Sequence, residues 1–88
     1  MNIATKPHSH TGELAKTFDV TAEDGSVFTL AAGTLCRKLS DSDDWFVMEP
    51  ASVALPNDEL RSFFEVFGIP VPADHIERIQ AVTRIALN

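Results

Sequence analysis

The chain has 88 residues, enough for one small domain and too few for a dinucleotide fold or a kinase. Hydrophobic residues make up 44% and charged residues 23%, too apolar a mix for a chain disordered throughout. The formal net charge of −6 repels phosphate backbones and argues against direct nucleic-acid binding, and the single cysteine, Cys36, excludes an intramolecular disulfide.

Residues 1–16 are polar and show neither a strand nor a helix period, so a flexible tail is expected there. They hold no continuous apolar segment of the signal-peptide kind. No run in the chain approaches the roughly 18 apolar residues of a membrane span. A cytoplasmic protein with no membrane partner is therefore expected.

From Thr17 the texture changes. Phe18 and Val20 alternate with Thr17, Asp19 and Thr21, the period of a half-buried strand. Asp24-Gly25 then reads as a hairpin turn, because glycine accepts positive φ at no steric cost. The return strand is expected over 26–31, and a third over 34–39 with Leu35 and Leu39 on one face and Cys36 on the other. Asp41, Asp43 and Asp44 belong to an acceptor-rich loop. A fourth strand, beginning at Trp45, ends before Pro50.

The second half reads as helical. Asn57 caps a helix over 57–67, with Asp58 and Glu59 in its first turn. Leu60, Phe63, Phe64 and Phe67 make one apolar stripe, expected to pack on the sheet with Phe63 and Phe64 both buried. Gly68 and two prolines, Pro70 and Pro72, stop it. A second helix, capped by Asp74 and running to about Leu87, is expected from Ile76, Ile79, Val82 and Ala86. The predicted fold class is α+β: a small antiparallel β-meander or partial barrel of about four strands over 17–49, followed by two α-helices, all within one domain spanning 17–88.

Catalytic chemistry is not expected. His8 and His10 form a metal-like pair, but a zinc site needs three or four rigid ligands. Only His75 and Cys36 could join them. Cys36 has no neighbouring base. The Asp41-Asp43-Asp44 spacing lacks the glycine and distal glutamate of a calcium loop. No catalytic, metal or cofactor-binding residue is assigned. The helical pair is not basic enough for a DNA-binding helix-turn-helix.

Residues 33–48 resemble the middle of a bacterial Src-homology-three-like small barrel, through Gly33, Thr34, Leu35, Leu39, Trp45 and Val47. The resemblance implies a binding module rather than a catalyst. The expected helices after Pro56 depart from that family's pattern, so no ligand-binding residues are carried over.

The reading is a non-catalytic protein-binding module. It is a small acidic inhibitor or adaptor of the kind phages and mobile elements encode, set against a basic nucleic-acid-binding partner. Candidate partner contacts are Glu23, Asp24, Asp41, Asp43, Asp44 and Trp45, although Trp45 reads first as core and only second as a contact. Ile85 and Leu87 fall off the last helix's stripe and suggest a homodimer through residues 76–87. A structural homodimer is thus one competing reading. A small metal- or cysteine-dependent enzyme built on His8, His10 and Cys36 is another.

Overall fold

The computed structural model describes residues 6–82. Among them the chain forms seven strands and one α-helix, so the expected four strands followed by two helices are corrected to a mostly β fold. The strands are β1 (His8–Leu14), β2 (Phe18–Thr21), β3 (Val27–Leu30), β4 (Leu35–Leu39), β5 (Trp45–Val47), β6 (Pro70–Val71) and β7 (Ile76–Ala81). The helix α1 (Asp58–Phe67) lies between β5 and β6. Five strands make one antiparallel sheet in the order β6-β5-β4-β1-β7, and β2 and β3 make a separate two-stranded sheet. No helix among the described residues is long and apolar enough to cross a membrane.

Local chemistry accounts for the hairpin and the helix. The β2–β3 turn closes through Ala22 N–H donating to Ser26 O (2.8 Å) and Gly25 N–H to Ala22 O (3.0 Å), with Gly25 at φ 87°. Asn57 caps α1 as expected, its Oδ1 accepting from Leu60 N–H at 2.9 Å. The helix ends where Gly68 N–H reaches Phe64 O at 2.8 Å.

Non-local pairing overturns the rest. The segment expected as a tail contains β1, which pairs with β4 on one side and β7 on the other. Its ends are fastened as well: Leu14 N–H donates to Thr34 O (3.0 Å), Ala15 N–H to His75 O (2.8 Å) and Val82 N–H to Ser9 O (2.8 Å). Arg37, buried on β4, donates from Nη1 to Lys6 O at 3.3 Å. The expected second helix is a single 3-10 turn, Ala73–His75, followed by β7. Ile76, Ile79 and Val82 carry a helix-like spacing, but they are β-branched, and β1 offers an edge whose amides need partners. The expected single meander is also divided, since β2–β3 pair only with each other while β4 continues into the larger sheet.

Gly12 is the tightest point of the sheet. A Cβ placed on it would collide with Ile76 Cγ2, and would stand 3.2 Å from Glu77 O and 3.4 Å from Trp45 Cζ3. Opposite it, β7 bulges. Glu13 faces Glu77 and Thr11 faces Gln80, so β7 carries one residue more than β1 here, and Arg78 takes φ 56°.

The core gathers Leu14, Phe28, Leu30, Cys36, Trp45, Val47, Phe64, Ile69, Val71 and Ile76. Cys36 lies in the core, and of the two leucines expected on the opposite face Leu39 is buried while Leu35 is 58% exposed. The hairpin and helix meet through Phe28 and Phe64, whose rings pack edge-on at 5.5 Å.

Gly12→Ala is expected to cost about 1–3 kcal/mol, the overpacking range. The reading is a lower urea midpoint at unchanged slope. An unchanged midpoint would mean that Ile76 and Trp45 do not lie against this backbone.

A candidate binding cleft between the hairpin and the helix

The α1 stripe divides as it meets the core. Phe64 is 5% exposed, whereas Phe63 is 45% and Phe67 60% exposed. The expectation that Phe63 is buried is thus corrected. Consecutive residues stand about 100° apart around a helix, so the hairpin and sheet cover Phe64 and leave Phe63 on the flank. Phe63 meets Phe64 edge-on at 5.3 Å and lies against Phe67 at 4.7 Å with the rings tilted by 37°. Two aromatic faces remain open to solvent beside a core ring.

This flank borders a cleft of about 300 Å³ between α1 and the β2–β3 hairpin. Val20, Ala22, Leu60, Phe63, Phe64 and Pro70 supply its apolar surface. Its charged lining residues are Glu23, Asp24 and Glu59, all acidic and all exposed. Hairpin formation places Glu23 and Asp24 on one bank, and the first turn of α1 places Glu59 on the other. Asp24 is structurally fixed: its Oδ1 accepts from Ser26 N–H at 2.8 Å. Hydrogen bonds from Ser26, and a weaker one from the cap residue Asn57, hold its carboxyl below the usual range, so it stays charged.

Two other depressions are less suited to charged recognition. One of about 330 Å³ runs past Leu30, Leu35, Met48 and Val53, with Glu49 its sole charged lining residue. A smaller one of about 210 Å³ lies beside Lys16, Asp74 and His75. His75 is exposed on the 3-10 turn and packs edge-on to Phe18 at 5.2 Å.

The structure separates the sequence candidates. Glu23 and Asp24 line the cleft, while Asp41, Asp43 and Asp44 lie exposed around the β4–β5 turn, where Lys38 Nζ approaches Asp43 Oδ1 at 4.0 Å. Trp45 is 5% exposed and belongs to the core, the favoured of its two readings, which removes it from the candidate contacts. Ile85 and Leu87 lie outside the described residues. His8 and His10 lie half-buried on β1, with His10 Nδ1 and Ser9 Oγ 2.8 Å apart. Cys36 Sγ donates weakly to Thr34 O at 3.4 Å, and burial pushes its thiol up to about 11, so at neutral pH it is protonated and a poor nucleophile. Sequence reasoning missed Glu59, Phe63 and Phe67 as surface residues. The one available signal was a four-residue stripe broader than a small sheet needs.

The divided stripe gives contrasting expectations for two adjacent residues. Phe64→Ala is expected to cost about 3–5 kcal/mol. Phe63→Ser is expected to cost about 1 kcal/mol, the worth of its ring contacts. Urea denaturation of both variants measures the difference, and equal losses would place Phe63 in the core.

No protein-family model matches the chain, and no curated protein or solved structure matches it either.

Proposed function

We propose that the protein is a non-catalytic binding module for a basic protein partner, acting as an inhibitor or adaptor through the α1–hairpin cleft. The observation that carries this reading is the pairing of the open aromatic surface of Phe63, which lines the cleft, with a rim whose charges are all negative. Aromatic residues are favoured anchors at interfaces, and a one-sign rim steers a partner of the other sign. The protonated, core-facing Cys36 argues against a thiol-based enzyme. The resemblance of residues 33–48 to a Src-homology-three-like barrel points the same way, to binding rather than catalysis. A partner that normally holds phosphates would present the complementary basic groove.

A homodimer is the second reading, favoured by β7. This strand ends the sheet, and Glu77 to Ala81 are exposed along it, as is Val82. An edge strand presents backbone groups that a second copy could pair.

The immobilised 88-residue chain should capture basic proteins from a lysate of the source organism. The captured set should fall by about tenfold at high salt, where exposed charges are screened. It should fall similarly for Phe63→Ser and for Glu59→Lys. Capture indifferent to both substitutions would remove the cleft from the interface. Sedimentation of the unbound chain reports separately on the dimer: a concentration-dependent doubling of mass supports it, and a monomer throughout excludes it.

A further inference from the structure

We infer that the cleft receives a peptide segment in which one large apolar side chain stands beside Lys or Arg. This rests on the binding-module reading and names the chemistry of its partner. The apolar surface comes from Val20, Ala22, Leu60, Phe64 and Pro70, and the volume of about 300 Å³ suits one or two side chains rather than an extended ligand. An apolar anchor of Leu or Phe size removes that surface from water.

Two independent features select a cation beside the anchor. The first is the rim: Glu23 and Asp24 face Glu59 across the opening, and no lining residue offsets them. Asp24 is held ionised by Ser26 and Asn57, so the negative charge persists below the ordinary carboxylate range. The second is the exposed ring of Phe63, which lines the cleft and whose face attracts a guanidinium or ammonium. An arginine side chain would lay its stem on Phe63 while its head reached Glu59. The rim charges are exposed, so the selectivity and the share of affinity they confer are lost as salt screens them. Acidic and phosphate-bearing segments meet repulsion from all three carboxylates.

The test titrates the isotope-labelled 88-residue chain with synthetic peptides of one length in a Gly/Ser background. One carries a Phe anchor flanked by Arg and Lys, one the same anchor flanked by Glu, and one Ala in place of the anchor between Arg and Lys. Spermine serves as a cation without an anchor. The first peptide should shift amides of residues 20–24 and 59–64, and bind about tenfold more weakly at high salt. Phe63→Ser and Glu59→Lys, both at exposed positions, should each weaken it by a comparable factor. Equal binding by the Glu-flanked peptide, the Ala-anchored peptide or spermine overturns the partner chemistry while leaving the cleft as a binding site. No shift at residues 20–24 and 59–64 with any probe overturns this inference and removes the cleft from the binding-module reading together.

Discussion

The close approach of Ile76 and Trp45 to the bare backbone of Gly12 is the constraint on which the rest of the structure depends. Gly12 lies in β1, the strand that joins β4 to β7. Without a side chain there, Ile76 can reach the core from β7 and Trp45 from β5. Any larger residue pushes Ile76 out and loosens the β1–β7 pairing, which already accommodates an extra residue at Arg78. In this account β1 and β7 are brought together by a residue whose contribution is the absence of atoms.

That sheet positions the candidate site. Between β1 and β4 the chain makes an excursion into the β2–β3 hairpin, and Gly33 N–H donates back to Leu14 O at 2.8 Å to return it. From the hairpin Phe28 reaches Phe64 on α1. Helix and hairpin share one aromatic contact at the core and diverge outward from it. The cleft is the space between them. Its charge follows from local rules that serve other ends: carboxylates suit a turn before glycine and the first turn of a helix. Stability of the hairpin and helix ends thus draws Asp24 and Glu59 to the opening, and the open rings beside them give that charge something to work with.

Local signals were legible and long-range ones were not. Asp24-Gly25 and Asn57 announce their turn and cap because each acts through hydrogen bonds within a few residues. β1 is invisible in the sequence because Thr11, Gly12 and Glu13 show no apolar alternation; its buried face consists of Gly12, which carries no side chain, and Leu14 at its end, and pairing on both edges holds the rest. β7 is misread for a related reason, since Ile76, Ile79 and Val82 fit a helical period while their branching favours extended backbone. Of the candidate site, Glu23 and Asp24 were legible as an acidic turn. Trp45 was ambiguous, and packing against Gly12 decides it for the core. Phe63 and Phe67 could not be told from Phe64, because a stripe records that a face is apolar and not how much of it a neighbour covers.

Amide hydrogen exchange along β1 tests the account most directly. If β1 joins the sheet on both edges, its backbone amides over 10–14 should be protected to about the same degree as those of β4, since both would open only with the whole fold. Exchange over 10–14 at the rate of an unstructured peptide, with β4 still protected, would contradict it: residues 8–14 would then be a tail, and the close approach at Gly12 would not hold the sheet together.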